Sequence, residues 1–288
     1  MPQPGSETLG SVASLWRYPV KSMLGEQIAE AEVTARGVVG DRGYALVDLL
    51  SGKVASAKHP RKWGRLFEFQ AAYSEPPQRE GPLPAARITL PDGRAITSDQ
   101  PGINQALSDA LGREVILMGT PPPDASYEEY WADIEGMPYR ETITEEALGG
   151  GTMAGLFFDG AVIHLLTTAT LKGLQAAYPE GCFEVQRFRP NIVVQSADEQ
   201  KGFTESAWLD HTLALGDEVR LEVIAPCIRC VMTTLAQGDL PADPGILRAI
   251  ARQNRVPFPG YGALPCAGVY VSVTRGGIIH AGDSVRFA

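Results

Sequence analysis

Val219-Arg220-Leu221-Glu222-Val223-Ile224-Ala225-Pro226-Cys227-Ile228-Arg229-Cys230-Val231-Met232-Thr233-Thr234 is the stretch on which the reading of this chain turns. Its first half alternates apolar and charged residues, which predicts a strand over Glu218–Ile224 with one face in a core. Pro226 is expected to break that strand. A thiol, Cys230, is left at its end beside the guanidinium of Arg229. A thiolate is both a nucleophile and a soft metal ligand, and neighbouring positive charge favours it over the thiol. Cys227 makes the segment a Cys-x-x-Cys, which reads three ways. Half of a zinc site needs a second ligand pair, but Cys182 and Cys266 are isolated and His59, His164, His211 and His280 are scattered. A dithiol redox pair normally opens a helix, whereas Val231–Thr234 is strongly β-forming. The third reading is two small buried hydrophobes.

The chain has 288 residues, 44% of them hydrophobic, enough for one large core or two smaller ones. Its net charge of −9 argues against binding to nucleic-acid polymers, which need a basic face. No apolar run approaches the ~20 residues that cross a bilayer. Met1–Gly10 is polar and has no signal-peptide pattern, so a cytoplasmic protein with no membrane association is expected. The four cysteines are then expected to be reduced, catalytic or metal-binding rather than a disulfide framework.

The first half reads mainly as β, with short runs at Ser11–Tyr18, Gln27–Thr34, Tyr44–Leu49, Arg65–Ala71 and Arg87–Leu90. Asp92-Gly93 predicts a type I′ hairpin turn. One helix is expected, capped by Asp99, begun at Pro101 and stopped by Gly112, with Ile103, Leu107 and Leu111 inward. Residues 120–151 are rich in Pro, Gly and acid, and read as an irregular linker or lid. The second half mixes strands near Val162–Leu166, Asn191–Gln195, Gly268–Val273 and Val285–Phe287 with two helices. One is capped by Thr167 or Thr168, with Leu171, Leu174 and Ala177 inward, and the other opens at Asp243-Pro244. Strands outnumber helices and do not alternate regularly with them. This favours a β-rich barrel or α+β architecture over a doubly wound sheet.

Three further motifs carry chemistry. Tyr18-Pro19-Val20-Lys21-Ser22 ends a strand in a turn that presents an ammonium and a hydroxyl, a set that suits an anion. Gly40-Asp41-Arg42-Gly43 places a second cation in a turn, or else a plain Asp–Arg surface pair. Arg187-Phe188-Arg189-Pro190-Asn191 leads into a strand, and an arginine before proline is expected to be extended, its fork free for a phosphate or a carbonyl. The bland alternative is a satisfied arginine at a sheet edge. His164, inside an apolar strand, reads as a hydrogen-bonded core histidine. Tyr127–Trp131 reads as a solvated loop with a few anchoring rings, or as the lining of a substrate entrance.

Together these segments resemble the MOSC superfamily, named for the C-terminal domain of molybdenum-cofactor sulfurase, and most of all the members built like the mitochondrial amidoxime-reducing component. Tyr18-Pro19-Val20-Lys21-Ser22 and Asp41-Arg42 resemble the opening of the family's N-terminal β-barrel domain. Phe188-Arg189-Pro190-Asn191-Ile192-Val193 and Arg229-Cys230-Val231-Met232-Thr233-Thr234 resemble the two MOSC signature segments, and Gly282-Asp283-Ser284-Val285 the family's closing turn. The resemblance implies an α+β, β-rich fold. An N-terminal barrel-like domain over 8–125 and a linker or lid over 126–150 would precede a MOSC barrel with peripheral helices over 151–288. It implies a molybdenum–molybdopterin cofactor ligated by Cys230, not Cys227, and held by Lys21, Ser22, Arg42, Arg189, Asn191 and Arg229. Some members carry a small polar residue two before the ligand cysteine, where this chain has Ile228.

The activity so implied is reduction of a small N-hydroxylated substrate by oxygen-atom transfer, in a monomer. No cysteine cluster has the spacing of a plant-type ferredoxin, so the electrons would come from a separate flavin or iron–sulfur reductase. Two alternatives remain. One is a sulfur carrier or sulfurtransferase with a persulfide on Cys230, resolved by Cys227. The other is a non-enzymatic carrier of the cofactor.

Overall fold

The computed structural model describes residues 8–151, 155–197 and 202–288, so most of the polar opening stretch lies outside it. Seven strands close into a barrel: β1 (Thr8–Arg17), β2 (Ile163–Thr167), β3 (Ile192–Ser196), β4 (Thr212–Leu215), β5 (Val219–Ile228), β6 (Gly262–Arg275) and β7 (Ser284–Phe287). Around the barrel they run β2-β3-β1-β7-β4-β5-β6, and β6 pairs back onto β2. Only β2 and β3 pair in parallel, and the helix Thr168–Ala177 lies between them in sequence. Inward positions alternate along each strand, as in Val219, Leu221 and Val223, and fill the core with Leu15, Leu165, Val194, Leu213, Val271 and Val285.

Residues 45–118 form smaller sheets around a second core. The strands Gln70–Tyr73, Ala86–Thr89 and Ala95–Thr97 make one sheet, and Ala45–Asp48 pairs with Val115–Met118. Trp63, Leu66, Phe69 and Leu107 pack between them. The result is the expected β-rich α+β architecture. Among the described residues, no helix is long and apolar enough to cross a membrane.

Several local expectations are corrected. Arg65–Ala71 is not a strand: Gly64–Glu68 forms a 3₁₀ turn, and the strand begins at Gln70. Leu66, Phe67 and Phe69 are all buried, so no alternation holds that segment extended. Helix Ile103–Leu111 forms, but left-handed Gly102 (φ 82°) occupies the cap expected of Asp99. At the hairpin turn only Gly93 has positive φ; its N–H donates to Leu90 O at 2.9 Å, a three-residue loop rather than type I′. Thr167 caps its helix as expected, accepting from Thr170 N–H, but Ala177 is exposed.

Two corrections bear on the site. Pro226 does not break β5, which continues to Ile228 through shifts in its register with β6 that accommodate the missing N–H. Val231–Thr234 is a 3₁₀ turn, not a strand, because Thr233 and Thr234 donate their hydroxyls to Cys230 O (3.0 Å) and Val231 O (2.7 Å). The segment expected to be irregular carries a hairpin, Ser126–Trp131 paired with Thr142–Ala147.

Candidate functional site

A cavity of about 400 Å³ gathers Lys21, Ser22, Arg42, Arg189, Arg229 and Cys230, residues up to 209 positions apart. Asn191 is the expected site residue that stands outside its lining. It is 1% exposed, and its amide is already engaged, with Oδ1 accepting from His164 N–H (3.2 Å) and Nδ2 donating to Trp16 O (3.3 Å). Its place is behind the wall, tying β2 to β1.

The wall is built with strained backbone. Ser22 (φ 63°), Arg42 (φ 49°) and Arg189 (φ 53°) are three of the six described non-glycine residues in the left-handed region. Each such residue costs about 1–3 kcal/mol unless its surroundings fix it. Here Arg42 N–H donates to Tyr18 O (2.7 Å), Tyr18 N–H to Asp41 Oδ1 (2.7 Å), and Ala57 N–H to Ser22 Oγ (3.0 Å). Arg189 is therefore left-handed, not extended as its following proline suggested. Its guanidinium lies 4.1 Å from the centroid of Tyr18, whose ring Arg42 also approaches, at 5.2 Å. Tyr18, which no motif singled out for a role, is the spacer that sets these two cations.

The cations are neutralised unequally. Lys21 pairs with Asp159 and donates to Phe157 O (3.0 Å), and Arg42 pairs with Asp41. Arg189 has only Met23 O (2.6 Å) as a hydrogen-bond acceptor, and its Nη2 is buried without a partner among the described residues. Arg229 donates to Cys227 Sγ (2.8 Å) and Phe188 O (2.8 Å), and its Nε is likewise unpartnered. Burial lowers the Lys21 pKa despite Asp159, and lowers Arg189 to about 10, still cationic at neutral pH. Spare N–H donors in a low-dielectric wall favour an anion.

Cys230 is half-buried and sits where β5 ends, at the start of the 3₁₀ turn. The positive charge expected to activate it goes elsewhere, since Arg229 bonds Cys227. Burial, then Glu129, pushes the Cys230 thiol up to about 11, against the pull of Lys58 and the Met232 N–H. In protein free of bound metal this makes Cys230 a thiol at neutral pH. Iodoacetamide alkylation of Cys230, followed by peptide mass spectrometry, should therefore rise about tenfold per pH unit from pH 8 to 10. A plateau near pH 8.5 would contradict it.

Three residues that motif reading missed complete the site. Lys58 joins Glu129 (3.0 Å), Asp159 (3.3 Å) and Tyr127 Oη (3.2 Å). Burial opposes its ammonium, but Asp159, Glu129, Tyr127 and Cys230 outweigh it and hold its pKa well above the ordinary lysine value. Asp159 follows two buried aromatics, Phe157 and Phe158, and a carboxylate in that position was the available signal. His164 lines the cavity as well as the core; burial, then Arg229, depresses it to about 3, so it is neutral, and its Nε2 has no partner among the described residues.

Comparison with known proteins finds similarity over nearly the whole chain. Residues 153–286 match the MOSC domain, and residues 9–80 match the MOSC N-terminal beta barrel domain. Mitochondrial amidoxime reducing component 2 of Macaca fascicularis is 27% identical over 298 residues, covering 97% of this chain and 84% of that protein. Human mitochondrial amidoxime-reducing component 1 is 25% identical over 310 residues, covering 97% and 83%. Among solved structures, the YUAD protein from Bacillus subtilis aligns over 96% of this chain and 94% of its own, with a TM-score of 0.44 and 11% identity. The chain belongs to the MOSC family, its MOSC domain preceded by the family's N-terminal beta barrel domain.

Proposed function

We propose that this protein is a molybdenum-cofactor-dependent reductase of N-hydroxylated compounds, with Cys230 as the protein's sulfur ligand to the metal. One observation carries the reading. In a protein of net charge −9, the cations Lys21, Arg42, Lys58, Arg189 and Arg229 converge on one cavity with a single accessible-edge thiol. The fit is chemical: the unpartnered Arg189 Nη2 and Arg229 Nε would take an anionic cofactor's oxygens, flanked by Lys21, Ser22 and Arg42. Among the described residues, no three His, Cys, Asp or Glu gather to hold a metal. A metal here would take Cys230 from the protein and its remaining ligands from the cofactor.

When bound, such a cofactor supplies two-electron, oxygen-accepting chemistry. The chain's own part is to position and to hold protons. N–O reduction to an amine and water consumes two electrons and two protons. Lys58 Nζ, kept protonated beside Asp159 and Glu129, holds a proton at the cavity wall next to Cys230. Neutral His164 adds no charge. The electrons come from a separate flavin or iron–sulfur protein.

The test is metal and pterin analysis of protein made in a host that synthesises the cofactor. Wild type is expected to carry close to one molybdenum per chain, and Cys230→Ser to lose most of it while melting at the same temperature as cofactor-free wild type. Wild type without molybdenum or pterin would sink the reading, and a persulfide mass on Cys230 would then assign sulfur transfer. Bound cofactor with no N–O reduction under a strong artificial donor would leave a carrier.

A further inference from the structure

β5 carries its inward face from Val219, Leu221 and Val223 on to Cys227, at a spacing of two. The chain stays pinned to β6 past the end of the strand, since Arg229 N–H donates to Pro265 O (2.8 Å). Arg229 therefore follows Cys227 on the same face, and its guanidinium folds back onto the sulfur, with Nη1 donating to Cys227 Sγ at 2.8 Å. Phe188 O takes Nη2 at 2.8 Å, and the Phe188 ring lies 5.5 Å from the guanidinium carbon. Cys227 is 1% exposed and lines the cavity together with Arg229. Tyr270 approaches the same sulfur from β6. Burial, then Cys227, pushes its hydroxyl well above the ordinary phenol value, so it stays a donor.

The same backbone keeps the two thiols apart. Three residues of extended chain span about 10 Å and turn the first and last side chains to opposite faces. A disulfide needs Cα atoms within ~7 Å. Cys230 is itself extended (φ −121°, ψ −175°), so Cys227 is not set to resolve a sulfur adduct on it. What Cys227 does touch is a cation of the site. A long side chain loses rotamer freedom when it grips a ligand, and loses less when its fork is already held. We infer that Cys227 is a positioning residue: its sulfur and Phe188 O clamp the Arg229 fork at the cavity wall, where the guanidinium meets an oxyanion. The inference deepens the proposed function and rests on it only in taking this cavity as the seat of an anionic cofactor.

The test is calorimetric titration of inorganic phosphate into the full chain, made in a host unable to synthesise the cofactor. Wild type is compared with Cys227→Ala, Cys227→Ser, Arg229→Ala and the double variant Cys227→Ala/Arg229→Ala. Cys227→Ala is expected to weaken phosphate binding about tenfold by loosening Arg229, and Cys227→Ser, whose hydroxyl still accepts, to recover a part. The double variant should bind no more weakly than Arg229→Ala alone, because the sulfur acts only through the guanidinium. A plain packing defect would instead add its loss to that of Arg229→Ala and would not respond to serine. Should alanine leave the core too loose to fold, Cys227→Ser with Arg229→Ala closes the same cycle. The inference is overturned by additive losses, by Cys227→Ala binding phosphate like wild type, or by wild type that binds no phosphate at millimolar concentration. Molybdenum does not enter the measurement. Wild type without molybdenum would therefore leave this result standing, and additive losses here would leave molybdenum content untouched.

Discussion

Arg187→Ala is expected to lower the unfolding free energy by about 4 kcal/mol or more, the range for a buried charge network left without its donor. Arg187 is 0% exposed and has no carboxylate hydrogen-bond partner among the described residues. Its Nε donates to Cys182 O (2.7 Å), Nη1 to Leu235 O (3.1 Å) and Thr233 O (3.4 Å), and Nη2 to Pro241 O (2.7 Å). Backbone carbonyls thus replace the water lost by the guanidinium, while burial still lowers its pKa. Alanine removes every donor at once and opens a void among the carbonyls. Each buried acceptor left unmade costs about 1–3 kcal/mol, reduced where water can enter. Thr233 lies within the 3₁₀ turn that Cys230 opens and Leu235 closes, so the same substitution should loosen the thiol's setting. Denaturant unfolding with an unchanged m-value measures the loss. Arg187→Lys should recover only a part, because one ammonium cannot reach four carbonyls. A loss below about 1 kcal/mol would show that water satisfies them.

Gly268→Ala is expected to cost about 3 kcal/mol or more, from strain and collision together. Gly268 has φ 80°, and a Cβ there would lie 2.2 Å from His164 Nε2 and 2.7 Å from Leu165 O. The backbone cannot retreat freely: Gly268 N–H donates to Glu205 Oε1 (3.0 Å), and its neighbour Val269 pairs with Leu165. Glu205 is itself fixed, accepting from Thr167 Oγ1 (2.5 Å) and Thr170 Oγ1 (2.7 Å) at 0% exposure. Thermal melting of Gly268→Ala, His164→Ala and the double variant separates the causes. The double variant should regain part of the loss, since the imidazole clash goes while the left-handed strain and the Leu165 contact stay. Additive losses would show that His164 does not meet the new methyl.

How much of this was legible varies by residue. The barrel strands were readable because Val219, Leu221 and Val223 alternate with charged partners, and a period of two survives any tertiary context. The cations Lys21, Arg42 and Arg189 were found because each follows or precedes a turn signal at a strand end. Their exact poses were not. Left-handed Arg189 reflects its packing over Tyr18, a contact 171 positions away that no local rule carries. Val231–Thr234 misled for a related reason: β propensity describes a pleated, half-buried surface, and here two hydroxyls and Arg187 claim the backbone instead. Lys58 and Asp159 could not be paired from sequence, because their meaning lies in each other and in Lys21. The 126–147 hairpin was hidden by its many carboxylates, which look like solvent exposure until Lys53, Lys58 and Lys62 are seen beside them.

The closure of the barrel sets a timetable for folding. β1 lies between β3 and β7, so a stave made early in synthesis must wait for partners made late. Only its last part finds company soon, where Leu15 to Arg17 pair with Glu26–Ile28. The rest stays bare until Ile192–Ser196 and Ser284–Phe287 emerge, roughly ten seconds or more later at a ribosome's ~5–20 residues per second. During that interval Leu9 to Ser14 is an open edge that could pair with another nascent chain, and the smaller sheets around Trp63 and Leu107 are free to settle first. The cavity, which draws on both halves, is therefore among the last features of the molecule to exist.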